Sequence, residues 1–356
     1  MTLRSMYLYV SDSLHSRCLT SSQCAQGWRT FAGMARVLTG IQSTGTPHLG
    51  NILGAIKPAI ELANEGSNES FLFIADLHSL TQIKDGATLR ENTYAVAATW
   101  MAFGLDTERT VFYRQSDVPE CTELAWYLQC YFPYSRMTLA HSFKDKQDRL
   151  GDVNAGLFAY PMLMAADILL YDADLVPVGK DQMQHLEMTR DVASRFNHAM
   201  GETFVLPEAL TREATMYVPG VDGGKMSKSR DNTLNIFDDP KALKKRINKE
   251  IVTDATPLED PKDPEANVTH SLYRLVASEA QADEMAAQLQ AGGYGWGHAK
   301  KDLLEALVDG FADERARFHE LMADKAQIDE ALAKGAEKAR AVAADVLARV
   351  RERAGY

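Results

Sequence analysis

A chain of 356 residues is long enough for two domains of ordinary size and a sizeable core. Hydrophobic residues at 46% and charged residues at 24% give a globular balance, which excludes a disordered or fibrous protein. Lys and Arg number 38 against 49 Asp and Glu, a net charge of −11. That excludes a general nucleic-acid coat and leaves room for a local basic site on an acidic body.

Residues 1–33 carry neither a strand nor a helix period over any useful length. The character changes at Met34, so Met34 is read as a candidate start and 1–33 as a doubtful N-terminal extension. From there to about Phe237 strands and helices alternate. Short buried strands are predicted at Arg36–Thr39, Ser70–Ile74, Thr110–Tyr113 and Asp174–Val178, with helices such as Ile52–Asn64 and Leu89–Phe103 between them. This alternation predicts an α/β domain over 34–237, a Rossmann-like doubly wound parallel sheet with a helical insertion at about 82–155. Such sheets bind ligands at the carboxyl ends of their strands. After Phe237 the predicted elements are amphipathic helices: Lys241–Ile251, Thr269–Ala277, Gln281–Gln290, Ala299–Phe318 and Ile328–Ala354. Residues 238–356 are thus read as a C-terminal all-helical domain.

The apolar stretch Gly156–Val178 carries Asp167, Asp172 and Asp174 and is not a membrane span. Cys18, Cys24, Cys121 and Cys130 match no metal-ligand spacing and are too few for a disulfide scaffold. No bound metal is expected, and a reduced cytoplasm is the expected setting.

Two segments have the chemistry of a phosphate site. Residues 40–51 (GIQSTGTPHLGN) join the first strand to the first long helix. Gly45 and Gly50 let backbone approach a ligand, and Thr44, His48 and Asn51 offer polar groups near a helix N-terminus, where phosphate is favoured. The alternative is a polar strand–helix turn with capping groups. Residues 223–229 (GGKMSKS) place Lys225 and Lys228 three apart after paired glycines, with Met226, Ser227 and Ser229. That suits a loop closing on a polyphosphate and stabilising charge as pyrophosphate leaves; the alternative is a solvated basic turn.

A third segment, residues 160–171, is read as a helix starting at Tyr160, with Tyr160, Met164 and Asp167 on one face. Pro161 is expected in that helix's first turn. A carboxylate among apolar side chains needs a donor. An indole N–H is a donor with no acceptor character. The local alternative is that Asp167 pairs within the core.

His48-Leu-Gly-Asn51 stands where class I aminoacyl-tRNA synthetases carry their HIGH signature, and Lys225–Ser229 resembles their KMSKS loop. The stretches 156–171 and 176–185 look like the tryptophanyl-tRNA synthetase family, a resemblance that runs from Met34 to near the C-terminus. It implies a ligase that activates tryptophan with ATP and Mg²⁺ and charges tRNA(Trp), working as a homodimer with no membrane or DNA partner. By the same resemblance, Asp167 binds the indole nitrogen, with His78, Tyr160, Met164 and Gln182 around the amino acid. Gln42, Ser43, Thr44, His48, Gly50 and Asn51 meet ATP, as do Gly179, Lys180, Asp181 and the backbone near Met216. Lys146 joins Lys225 and Lys228 at the triphosphate, and 238–356 becomes the anticodon-binding domain, including Gly335–Arg340. Ser43 departs from the family's frequent proline, and Asn51 replaces the class signature's final histidine. The alternatives are the tyrosyl relative, which shares both signatures, and a non-catalytic paralogue that binds nucleotide or tRNA.

Overall fold

The computed structural model describes residues 34–139, 154–179, 182–210 and 217–356. The doubtful extension 1–33 lies outside the described residues. Met34–Tyr356 forms one compact unit.

Its centre is a parallel sheet of β1 (Arg36–Ile41), β2 (Glu69–Ile74), β3 (Val111–Arg114), β4 (Leu175–Pro177) and β5 (Glu208–Leu210), in the order β3-β2-β1-β4-β5. β1 and β2 pair along their whole length, from Arg36 opposite Glu69 to Ile41 opposite Ile74. The inner strands read as apolar runs because helices cover both faces of a parallel sheet. The sequence gives no sign of β5, whose three residues alternate weakly and sit at the sheet edge. The chain walks outward from β1 to β3 and then returns to β4 on β1's other side. The crevice between the carboxyl ends of β1 and β4 is therefore the switch point where such sheets take ligands.

Three helices depart from the sequence reading. The first begins at Leu49 and passes through a wide π-turn at Ile52–Ile56 before Lys57–Asn64. Pro58, one residue beyond that turn, has no N–H to give to an ordinary α-turn. The helix Ala155–Leu169 starts before Tyr160, capped by the Asn154 side chain, and carries Pro161 in its interior. Burial of its apolar face outweighs a proline penalty of roughly 3 kcal/mol. The single predicted helix over 299–318 is two, Trp296–Gly310 and Ala312–Ala323. Gly310 is a weak helix former, and Phe311 leaves helical geometry to set its ring 6.0 Å from that of Phe103.

The closing helix Ala326–Ala354 crosses the exposed side of edge strand β3. Ile328 and Leu332 join the core that holds Leu72 and Trp100, whereas Ala339, Ala343 and Val346 join the core that holds Phe71 and Leu169. Gly335 lies at the handover. A Cβ there would stand 1.7 Å from the Phe112 carbonyl oxygen, so only glycine lets the helix seal the edge. Arg340 pairs with Glu120 at 2.9 Å.

Candidate functional site

A cavity of about 590 Å³ opens at the switch point. Gln42 and the end of β1, Val176–Val178, and the helix Ala155–Leu169 line it, and His78, Tyr160, Met164, Asp167 and Gln182 all reach it. The fold thus gathers residues spread along much of the domain into one chamber.

Asp167 is 3% exposed and held from several elements. His78 Nε2 lies 2.8 Å from its Oδ2. Gln115 Nε2 donates to Oδ1 at 2.7 Å, and Cys121 Sγ donates to the same oxygen at 3.0 Å. A buried carboxylate is costly unless donors meet it, and here they do. Asp167 thus pairs inside the core, as the local alternative has it, and it also lines the cavity. Burial, then the Asp167 charge, push the Cys121 thiol well up, so it stays a protonated donor. Tyr160 Oη shares a 2.6 Å hydrogen bond with His185 Nε2, and burial pushes its phenol up.

Gln115 and Cys121 were missed in the sequence. Gln115 carried a usable signal, because it directly follows β3 at the ligand-binding end of the sheet. Cys121 carried none. Its place in the second position of the helix Glu120–Tyr131 acquires meaning only when that helix packs on Ala155–Leu169.

The other part of the candidate site is built on the 40–51 turn. Ser43 is buried, and its backbone N–H and hydroxyl both bond Ser79 Oγ, at 3.0 and 3.1 Å. Ser43 thereby fastens the turn to the segment after β2, a fixing role that proline's rigid ring performs differently. His48 and Asn51 form a reciprocal cap. His48 Nδ1 accepts the Asn51 N–H, and Asn51 Oδ1 accepts the His48 N–H, each at 3.3 Å. Burial, then the nearby Lys228 charge, lower the His48 imidazole to about 4. The ring is neutral at pH 7, and with Nδ1 accepting, its proton sits on Nε2 as an outward donor.

The 225–229 loop folds onto this turn. Met226 is buried, and its sulfur accepts the Gly50 N–H at 3.3 Å across 176 residues of sequence. Lys228 Nζ lies 3.1 Å from where a Gly45 Cβ would be, and Gly45 has φ +119°, so the turn excludes a side chain twice over. Partial burial of its ammonium lowers Lys228 to about 8, although the residue is exposed. Ser227 and Ser229 hydroxyls are 3.0 Å apart, and Lys225 is exposed. Asn232, also missed in the sequence, staples the loop. It accepts the Ser227 N–H at 2.7 Å and donates to Lys225 O at 3.1 Å and Asp222 Oδ1 at 2.7 Å.

Gly179 is described and accepts the Gln182 N–H at 3.0 Å. Lys146, Lys180, Asp181 and Met216 lie outside the described residues. Among the described residues no group of three or more His, Cys, Asp or Glu is placed to hold a metal ion, and no helix is long and apolar enough to cross a membrane.

Residues 32–312 match the family model for class I tRNA synthetases of the W and Y type. The chain is 48% identical over 320 residues to a tryptophan–tRNA ligase of Rhodopirellula baltica, covering 90% of this chain and 99% of that protein. It is 44% identical to a ligase of the same name from Neisseria meningitidis, over 90% of this chain and 97% of that one. Among solved structures, a Campylobacter jejuni tryptophanyl-tRNA synthetase complexed with ADP and tryptophan superposes with a TM-score of 0.86 at 43% identity, covering 90% of this chain and 100% of that chain.

Proposed function

The chain belongs to the class I tRNA synthetases of the tryptophan and tyrosine branch, and on that premise we propose how its residues divide the work of joining tryptophan to tRNA. The reaction is that of a tryptophan–tRNA ligase. The tryptophan carboxylate attacks the α-phosphorus of ATP in line, giving the aminoacyl-adenylate and pyrophosphate. A ribose hydroxyl of the tRNA's terminal adenosine then takes the acyl group. The protein's share is positioning and charge stabilisation.

We assign the 590 Å³ chamber to tryptophan, with Asp167 accepting the indole N–H and Tyr160, Met164, His78 and Gln182 around the ring and backbone. Phenylalanine would leave that buried acceptor unmet, and sites of this kind discriminate strongly. ATP, arriving with Mg²⁺ as part of the substrate, lies along Gln42–Thr44 and the His48–Asn51 cap. There the neutral His48 offers Nε2–H, and Lys225, Lys228 and Lys146 balance the triphosphate. Gly50, Gly179, Lys180, Asp181, Met216, Met226, Ser227 and Ser229 complete the nucleotide site. The single observation that carries this reading is the junction of Met226 and Lys228 with Gly50 and Gly45, beside the Asp167 chamber.

We divide the chain into a catalytic part, 34–237, and a tRNA-reading part, 238–356. We also propose a homodimer in the cytoplasm. Support for the dimer comes from Leu80, Trp126, Tyr134 and Leu139, apolar side chains left exposed, with Trp126 at 65%. An apolar recess of about 420 Å³ at Leu80, Ala125 and Leu163 adds to it.

Amino-acid-dependent ATP–pyrophosphate exchange tests the assignment. Exchange is expected with tryptophan and not with tyrosine or phenylalanine. Exchange with tyrosine alone would overturn it.

A further inference from the structure

The geometry points to Gln115 and Cys121 as positioning residues that decide which oxygen of Asp167 meets the indole. The inference rests on the reading that Asp167 accepts the indole N–H. Both donors converge on Oδ1, at 2.7 and 3.0 Å, and so occupy its two lone-pair directions. Among the described residues, Oδ2 takes only the His78 Nε2 contact at 2.8 Å and keeps a lone-pair direction in reserve. His78 and Asp167 both line the cavity, whereas Gln115 and Cys121 do not, so they act on tryptophan through the groups they hold, and both hold the carboxylate.

The orientation of Gln115 is itself fixed. Its Oε1 faces the His78 backbone N–H at 3.4 Å, which leaves Nε2 as the end that meets Asp167. Cys121 stays a thiol in this buried place. Both donors are neutral. They lock the carboxylate's rotation without cancelling its charge, and that charge is what a neutral indole N–H needs for a strong hydrogen bond. An Arg or Lys in either place would form an ion pair and weaken the acceptor.

The test compares tryptophan with its benzothiophene analogue, which carries sulfur in place of the indole N–H, in ATP–pyrophosphate exchange. Each variant is scored by the ratio of kcat/KM for the two substrates. Both are measured on one preparation, so partial misfolding cancels from the ratio. The ratio is expected to fall about tenfold in Gln115→Met and in Cys121→Ala, and to stay within about twofold in Cys121→Ser, which keeps a donor. If both substrates lose equally and the ratio holds, Gln115 and Cys121 are merely structural and the inference fails. Asp167→Ala separates the two layers. If it leaves the ratio unchanged, the reading of Asp167 falls and the inference with it. If it lowers the ratio while the other variants do not, only the inference falls.

Discussion

The chamber proposed for tryptophan and the turn proposed for ATP lie side by side and are held together in opposite ways. In the chamber the key carboxylate is buried and fixed by donors from behind β2, from behind β3 and from the helix Glu120–Tyr131. At the nucleotide turn the cations are exposed, and the loop that carries them is folded mainly on itself by Asn232. The described hydrogen bond from the loop to the turn is an N–H to sulfur contact, with the Lys228 ammonium resting over Gly45. Selection among similar side chains needs a geometry fixed before the substrate arrives. Stabilising charge that migrates from ATP to pyrophosphate needs groups able to follow it. The rigid donor set suits the first task and the loosely attached lysines suit the second.

The sharpest way to break this contrast is Asp167→Ala. Removing the acceptor should lower kcat/KM for tryptophan by about a thousandfold or more while the KM for ATP moves less than about threefold. His78, Gln115 and Cys121 would lose a shared partner, so the fold should also weaken, by about 1–3 kcal/mol. Exchange kinetics and a denaturant melt measure both. An equal rise in the KM for ATP would mean that the two regions are one coupled unit.

On the nucleotide side the corresponding probe is pH. Lys228 is lowered to about 8 because partial burial disfavours its charged form. It therefore carries its proton at pH 7 and loses it as pH rises through about 8. kcat/KM for ATP, which reports the free enzyme, should decline above that point, approaching tenfold per unit. Lys228→Arg keeps its charge and should move the decline beyond the accessible range. His48, at about 4, is already neutral and adds nothing to the alkaline limb. A decline that survives Lys228→Arg would assign the titration elsewhere.

Much of both regions was legible in the sequence. The inner strands announce themselves as short apolar runs, and β5 does not because three residues at an edge carry no period. The helix Ala155–Leu169 was placed, but its start was missed. A proline rule that holds for isolated helices yields to tertiary burial. At the candidate site, the family resemblance brought forward Asp167, and motif spacing brought forward His48 and Lys228. It could not pick out Gln115, Cys121 or Asn232, whose roles depend on contacts 52, 46 and 5 residues away in sequence. Supporting donors need only to be the right group in the right place, so no local pattern marks Cys121 or Asn232, and Gln115 is marked only by its place directly after β3.

The smallest expected effect is also the most selective. Met226→Leu keeps the buried volume beneath the loop and deletes only the sulfur that accepts the Gly50 N–H. Thioether sulfur is a weak acceptor, so the loss should stay under about 1 kcal/mol. That N–H is one of the unpaired amides at the start of the first long helix, where the triphosphate is assigned, and a bound phosphate oxygen can take it over. The substitution should therefore shift the KM for ATP by about two- to threefold and leave kcat/KM for tryptophan at saturating ATP unchanged. A matching change in the tryptophan parameters would show that loop closure also shapes the Asp167 chamber. The fixed and the adjustable halves of the site would then not be separable.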